Sequence, residues 1–205
     1  MTQITVGLRA FVVLMLALAA PFVSGASAQD AKPLEVVVGD PAAPVTVIEY
    51  MSLTCPHCAE FHNTVLPDVM KAYVDTGKVR MIFRDYPLDG AAYRAAILTH
   101  CMAEDGPKRY YGFVQVLFQQ QRRWTTVADP MGELAKLARL GGMSQERFDA
   151  CIENEEYAAG VLLSRQQGEN EFGIRSTPSF VVNGRVVAGG MSFSEFEKVV
   201  DPLIN

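Results

Sequence analysis

The chain has 205 residues, of which 49% are hydrophobic, 20% are charged and 9% are aromatic, and its formal net charge is −5. This length and composition allow one stable hydrophobic core and leave little room for two full domains. The acidic balance, with no basic run longer than Arg122-Arg123, argues against nucleic acid as a partner.

The first 28 residues have the order of regions found in a secretory signal peptide. Arg9 precedes an apolar stretch at 10–23, and the small residues "SGASA" end at Ala28. The apolar stretch contains Pro21 and is shorter than the roughly 20 residues that span a bilayer. We therefore expect cleavage near Ala28 and a mature, soluble, exported chain of residues 29–205. An uncleaved membrane anchor is the alternative.

The mature chain begins with a pattern of strands and one helix. A short edge strand is predicted at 34–38, and a β-branched strand at 44–51. Residues 56–76 have helical spacing, with a kink expected at Pro67 and a stop at Gly77. A second full strand follows at 78–86. The strand–helix–strand order makes the two full strands parallel.

The remainder of the chain is first helical and then returns to strands. Residues 91–172 have apolar spacing near 3.6 almost throughout, which predicts a block of helices. Asn183-Gly184 between two β-branched runs predicts a hairpin, and a capping box at 192–195 opens a last helix at 193–203. We predict a four-stranded α/β core with a helical insertion. Its segments are a signal peptide at 1–28, core at 29–90, insertion at 91–172 and core at 173–205.

The stretch "LTCPHC" places two residues between Cys55 and Cys58, directly after the first full strand. If the helix begins at Pro56, a residue well suited to the first helical position, then Cys55 occupies the N-cap. Its sulfur faces free backbone N–H groups and the positive end of the helix dipole, which favour a thiolate. His57 can add a donor or a positive charge beside it. A thiolate stabilises the reduced form and makes the disulfide oxidising. We expect an exposed nucleophile at Cys55 and a buried resolving thiol at Cys58.

Other uses of a cysteine pair are weaker here. A structural disulfide between these two residues would close too small a loop to constrain the chain. A zinc site needs a second close pair, and Cys101 and Cys151 are far apart in sequence. A copper site that uses His57, His62 and methionines stays open. We expect thiol–disulfide exchange, with no metal and no cofactor.

Three longer stretches carry a family resemblance: "EYMSLTCPHC" at 49–58, "RDYPL" at 84–88 and "GIRSTPSFVVNG" at 173–184. Together they resemble the DsbA-like thiol oxidoreductases, and the resemblance covers nearly all of the mature chain. It implies a thioredoxin fold with an inserted helical domain. It also implies a periplasmic, monomeric dithiol oxidase of newly exported proteins, which a quinone-linked membrane partner of the DsbB type reoxidises.

The resemblance also implies roles for individual residues. Cys55 corresponds to the attacking thiol and Cys58 to the resolving thiol, with His57 tuning both. Pro178 corresponds to the family's cis-proline beside the dithiol. The backbone of Thr177 would then pair with an extended substrate segment, as in strand addition.

Glu49, six residues before Cys55, corresponds to a buried acid that assists proton transfer at Cys58. An ordinary charged residue at a strand end is the alternative, although an acid is costly to bury without a use.

The chain departs from the best-known family pattern at two places. Thr177 stands where the strongest oxidases often carry valine and isomerases commonly carry threonine, so an isomerase or reductase is the alternative enzyme. Cys101 and Cys151 both lie in the insertion, and we predict a structural disulfide between them. Two buried free thiols are the alternative. The alternative outside enzymes is a copper-handling or peptide-binding protein.

Overall fold

The computed structural model describes residues 1–2 and 33–204. The predicted signal peptide and its cleavage site near Ala28 lie outside these residues. Within the described part, no helix is long and apolar enough to cross a membrane.

The fold is built on one five-stranded sheet with the strand order β1-β3-β2-β4-β5. The strands are β1 (Glu35–Val38), β2 (Val45–Met51), β3 (Val79–Asp85), β4 (Ser179–Val182) and β5 (Arg185–Ala188). The central pair, β2 and β3, is parallel, as the sequence predicted. The sheet has one strand more than the predicted four-stranded core, because β1 pairs antiparallel with β3.

The helical segment after β2 is interrupted, whereas the sequence predicted one kinked helix over 56–76. The structure has α1 (Pro56–Thr64), α2 (Leu66–Val69) and a π-helical turn (Met70–Val74). The break falls at Val65, whose own N–H still donates to the carbonyl of Phe61. Pro67 has no N–H to continue the α-helical pattern, so the chain begins a new helix there instead.

Six helices lie between β3 and β4, where the sequence predicted a helical insertion. They are α3 (Gly90–Ala103), α4 (Pro107–Gln119), α5 (Gln121–Thr125), α6 (Pro130–Leu140), α7 (Gln145–Ile152) and α8 (Glu155–Phe172). Four of them begin with a side chain that accepts a hydrogen bond from the first turn: Asp89, Asp129, Ser144 and Asn154. In these four helices, the position of the first turn is therefore determined by residues close together in the sequence.

The last helix, α9 (Phe193–Ile204), begins with the predicted capping box. The backbone N–H of Ser192 donates to Glu195 at 2.8 Å, and the N–H of Glu195 donates to the Ser192 hydroxyl at 3.3 Å. This part of the prediction is confirmed.

A single large apolar cluster joins the sheet to the helical block. Its fully buried members include Phe61, Phe83, Leu117, Phe180 and the one tryptophan of the chain, Trp124. The Trp124 indole N–H donates to the carbonyl of Leu117 at 2.9 Å. Because α4 and α5 share this core with α1, the helical block has a defined position beside the cysteine motif.

Two further features attach helices to their neighbours. Cys101 of α3 and Cys151 of α7, the pair predicted to form a structural disulfide, are bonded, with 6.2 Å between their Cα atoms. Gly168 of α8 lies against the ring of Tyr50, where an added Cβ would be 2.7 Å from Cε1. The absence of a side chain at Gly168 therefore allows α8 to approach β2 closely.

Candidate active site

The cysteine motif lies at the beginning of α1, at the end of the central strand β2. Cys55 is the N-cap residue with extended backbone angles, and Pro56 is in the first turn. The carbonyl of Cys55 accepts from the N–H of Ala59 at 3.1 Å, which starts the helix. Cys58 is one turn further along. This is the arrangement that the sequence predicted.

Both cysteines are reduced, and both are buried. Cys58 is completely inaccessible, and Cys55 is only 5% exposed. The expectation of an exposed nucleophile at Cys55 is wrong, because the loop before β4 covers its sulfur. Across this contact the Cys55 Sγ lies 3.3 Å from the carbonyl oxygen of Thr177, to which it donates when it is protonated.

The surroundings of Cys55 favour a thiolate and lower its pKa to about 5. The largest cause is a hydrogen bond from the Cys58 thiol, and burial opposes it. The Thr177 side chain and the backbone N–H groups of Cys58 and His57 lower the pKa further. The Thr177 hydroxyl is buried and has no hydrogen-bond partner in the described part of the chain. Donors at a helix N-terminus therefore stabilise negative charge on this sulfur.

Cys58 has the opposite tendency. Burial raises the pKa of its thiol far above the usual range, and the neighbouring Cys55 sulfur and the charge of Glu49 raise it further. At neutral pH the motif thus contains one thiolate, at Cys55, and one protonated thiol, at Cys58. Thiol–disulfide exchange uses both forms, because the attacking sulfur must be a thiolate and the resolving sulfur must stay protonated until the mixed disulfide has formed.

The side chain of His57 does not contact the dithiol. It is 76% exposed, and its Nδ1 lies 3.7 Å from Glu60 of the same helix. The contribution of His57 to Cys55 comes instead from its backbone N–H. The sequence predicts that the imidazole tunes both cysteines, whereas in the structure only the His57 peptide group acts, and it acts on Cys55 alone.

Glu49 points from β2 into the interior behind the motif and is completely buried. Its two carboxylate oxygens lie 3.1 and 3.2 Å from Nε2 of His62, which is equally buried. From the sequence alone, His62 is assigned no role except as a copper ligand. Its spacing gave a usable signal, because residues 58 and 62 are four apart and share one face of α1.

The structure does not gather the residues of the copper hypothesis. His57 is at the surface, whereas His62 is in the core beside Glu49. Within residues 33–204, no group of three or more His, Cys, Asp or Glu side chains could hold a metal ion.

The loop before β4 brings Thr177 and Pro178 beside the cysteines. The peptide bond between them is cis, as the resemblance implied. The carbonyl of Thr177 reaches Cys55, and β4 begins directly afterwards at Ser179. A backbone segment next to a reactive sulfur is a suitable place for an extended peptide.

Two surface clefts flank α1 at the motif. One, of about 910 Å³, lies between α1 and the α4–α5 connection and is lined by Pro56, Ala59, Phe118 and Arg122, among others. The other, of about 410 Å³, lies between α1 and the loop after β5 and is lined by His57, Phe61, Val65 and Met191, among others.

Gln121 connects the helical block to the motif. Its side-chain amide donates to the carbonyls of Leu53 and Cys55, at 2.9 Å each. The sequence gave no sign of this contact.

Comparison with known proteins agrees with this geometry. The family described as Thioredoxin matches residues 31–202. The crystal structure of Wolbachia pipientis alpha-DsbA1 is 32% identical, with a TM-score of 0.77, and the match covers 87% of this chain and 96% of that one. Disulfide bond formation protein D of Bacillus subtilis is 26% identical over 170 residues, which are 80% of this chain and 75% of that protein.

A Rickettsia prowazekii protein, provisionally named a protein-disulfide oxidoreductase, is 30% identical over 171 residues. That match covers 83% of this chain and 62% of the relative, so the chain spans about three fifths of that relative's length. The fold and the position of the dithiol define a protein of the thioredoxin class. Within that class, the chain belongs to the DsbA-like family.

Proposed function

We propose that this protein is a thiol–disulfide oxidoreductase that introduces disulfide bonds into exported proteins. The observation that supports this most is the difference between the two thiols of the motif. Cys55 is a stabilised thiolate, whereas Cys58 is a buried, protonated thiol. Because the thiolate stabilises the reduced form, the Cys55–Cys58 disulfide gives up its oxidising equivalents readily.

The reaction begins when a substrate thiolate attacks the Cys55 sulfur of the Cys55–Cys58 disulfide. A mixed disulfide forms at Cys55, and Cys58 leaves and takes up a proton. A second substrate thiolate then attacks the substrate sulfur of the mixed disulfide. The substrate disulfide forms, Cys55 leaves as a thiolate, and two electrons have passed to the protein. The low pKa of Cys55 makes it a good leaving group in this last step.

The substrate would lie as an extended segment against the backbone of Thr177, beside the cis-proline Pro178. The cleft of about 910 Å³ at Pro56 and Phe118 offers apolar surface for side chains next to the substrate cysteine. We further propose that the protein works as a monomer in the periplasm after removal of its signal peptide. A quinone-linked membrane oxidase of the DsbB type would restore its disulfide.

A trapping experiment tests the mechanism. Cys58→Ala removes the resolving thiol. If Cys55 of this variant is first converted to a mixed disulfide with glutathione, thiolates of exported proteins should displace glutathione and accumulate as mixed disulfides on Cys55. Cys55→Ala is the matched control and should trap nothing. Non-reducing electrophoresis followed by mass spectrometry measures both. Equal, low levels of mixed disulfide in the two variants would contradict dithiol exchange at this motif.

The direction of the reaction is tested by the reduction potential of the Cys55–Cys58 pair in glutathione buffers. We expect a potential well above that of the glutathione couple, which is the property of a disulfide donor. A potential near that of thioredoxin, roughly −270 mV, would instead favour a reductase or isomerase. In that case Thr177, the residue before the cis-proline, is the first position to replace.

A further inference from the structure

The interior behind the cysteine motif contains an isolated carboxylate–imidazole pair, Glu49 and His62. Both side chains are fully buried, and Nε2 of His62 faces both carboxylate oxygens. Aromatic rings surround the imidazole, with Phe118 at 4.3 Å, Phe83 at 5.8 Å and Phe61 at 5.9 Å between ring centroids. An ionised carboxylate in such apolar surroundings needs a hydrogen-bond donor.

The second ring nitrogen of His62 determines which form of the imidazole is present. Nδ1 is buried and has no hydrogen-bond partner in the described part of the chain. A doubly protonated ring would leave a charged N–H group without an acceptor, and that arrangement is strongly unfavourable. We therefore assign the neutral form, with its proton on Nε2, so that Nε2–H donates to Glu49 and Nδ1 carries a lone pair.

We propose that His62 is a positioning residue that holds the Glu49 carboxylate, through a hydrogen bond from Nε2–H, in the orientation in which it exchanges a proton with Cys58. The geometry supports this, because Cys58 and His62 lie one turn apart on α1, and Glu49 of β2 is within hydrogen-bond distance of His62. The charge of Glu49 acts on the Cys58 thiol. This inference rests on the proposed thiol–disulfide exchange, but it holds for either direction of that exchange.

The proton is exchanged at the resolving step. When the reduced protein is reoxidised, Cys55 first carries a mixed disulfide with the oxidant. The Cys58 S–H then gives its proton to the Glu49 carboxylate, and its sulfur electron pair attacks the Cys55 sulfur. The Cys55–Cys58 bond forms, and the bond from Cys55 to the outer sulfur breaks, releasing a thiolate. In substrate oxidation the same proton returns to Cys58. His62 keeps its Nε2 proton throughout.

Few other groups near the pair can titrate. Cys58 is on α1, and Tyr110 and Tyr111 of α4 feel the charge of Glu49. Asp85 at the end of β3 acts on Tyr110. Burial raises the pKa of both tyrosines, so they remain neutral at moderate pH. Cys55 does not titrate while it is in a mixed disulfide, so the resolving step reports mainly on the carboxylate, its donor and Cys58.

The test uses 5,5′-dithiobis(2-nitrobenzoate), which releases one coloured thiolate when Cys55 reacts and a second when Cys58 resolves the mixed disulfide. Stopped-flow absorbance from pH 5 to pH 9 separates the two phases. His62→Phe removes the donor. We expect its second phase to slow roughly tenfold to a hundredfold near neutral pH, the effect of losing one hydrogen bond to a charged group. The midpoint of its pH profile should move upward, while the first phase stays within about twofold, because Cys55 attacks without Glu49.

The matched control is His62→Gln, whose amide N–H can still donate to Glu49 and should restore most of the rate. Glu49→Gln removes the carboxylate itself. In that background, adding His62→Phe should not change the rate of the second phase any further. His62→Met, also without an N–H group, replaces the phenylalanine variant if that protein does not fold.

The inference is overturned if folded His62→Phe or His62→Met protein has the wild-type second phase and pH midpoint, or if His62→Gln is as slow as they are. If the wild-type protein releases no second thiolate at all, the proposed function fails as well, so the two failures are distinguishable.

Discussion

Cys55 and Cys58 are three positions apart, yet they differ in almost every property that governs thiol chemistry. Cys55 is at the helix N-terminus among hydrogen-bond donors, whereas Cys58 is inside the core near the charge of Glu49. The difference follows from one helical turn, which moves a side chain from the N-cap into the apolar interior. A single motif therefore supplies both an anionic and a neutral sulfur.

The first prediction concerns the ionisation of Cys55. The absorbance of the reduced protein at 240 nm should fall with a midpoint near pH 5 as the solution is acidified, because donors around the sulfur lower its pKa to about 5. The Cys55→Ser variant should lack this transition, whereas Cys58→Ala should keep a transition at a higher pH, since the Cys58 thiol is the largest donor and alanine removes it. A wild-type midpoint near 8.5, the value of an ordinary thiol, would contradict the assignment.

For individual residues, the sequence predicted a side chain's position correctly where a local motif determines that position. The positions of Cys55 and Cys58 follow from the strand and from Pro56 at the first helical position. The pairing of Glu49 with His62 could not be predicted, because it depends on α1 packing against β2 and on rings contributed by β3 and α4. The exposure of Cys55 was mispredicted for the same reason, since the covering loop is more than 100 residues away in sequence.

Elements in this fold meet through specific close contacts as well as through general apolar burial. The approach of α8 to β2 depends on Gly168, and the contact of α3 with α7 includes a covalent bond. The sequence predicted the helices and their caps well, because capping and apolar spacing are local. The break of the first helix at Val65 was missed, since spacing alone does not distinguish a kink at Pro67 from a new helix.

The second prediction tests the contact between α8 and β2. Gly168→Ala should lower the free energy of unfolding by about 1–3 kcal/mol, because the added methyl group overlaps the Tyr50 ring. Gly112→Ala, in the exposed face of α4 with no atom within 4 Å of the new Cβ, is the matched control. It should raise the free energy of unfolding by up to about 1 kcal/mol through helix propensity. Urea denaturation measures both, and equal effects would refute the proposed overlap.

The third prediction concerns the disulfide between α3 and α7. Its cysteines are 50 residues apart, and a loop of that length restricts the unfolded chain by about 4 kcal/mol in the chain-entropy treatment. The double variant Cys101→Ala, Cys151→Ala should lose a comparable free energy of unfolding. Both proteins are compared with the Cys55–Cys58 pair oxidised, so that only one bond differs. A loss below about 1 kcal/mol would show that the entropy treatment does not apply here.

On the scale of the whole molecule, the sheet brings two halves of the sequence together at the motif. β2 and β3 come from the first half, and β4 and β5 return from beyond residue 172 to pair with β2. The family resemblance and the order of elements predicted this fold class. The antiparallel pairing of β1 with β3 was not specified, because a four-residue apolar strand can pair with either edge of a sheet.

The fourth prediction follows from the thiolate and concerns the stability of the whole protein. Between about pH 5 and pH 9, the unfolded reduced chain carries a proton on Cys55 that the folded chain lacks. The free energy of unfolding of the reduced form should therefore rise with pH relative to the oxidised form, by at most about 1.4 kcal/mol per pH unit. The contribution is largest above pH 9 and is lost as the pH falls through 5. Cys58 is protonated in both states below about pH 8 and cancels there, so the comparison is made from pH 5 to pH 8.

Denaturant unfolding of both redox forms at several pH values measures this effect. The Cys55→Ser variant, in which no thiolate can form at that position, should lose the pH-dependent gain seen in the reduced wild-type protein. Parallel stability curves for the reduced and oxidised wild-type protein would contradict the prediction.

The link made by Gln121 has an optical consequence. Gln121 binds the carbonyl of Cys55, and Trp124, the one tryptophan of the chain, follows three positions later on the same short helix. A change of bonding at the cysteine motif is thus transmitted by a direct hydrogen bond to the helix that carries the fluorophore. The intrinsic emission of the unlabelled protein should then follow its redox state in real time, so that electron flow into and out of this molecule can be watched without a dye.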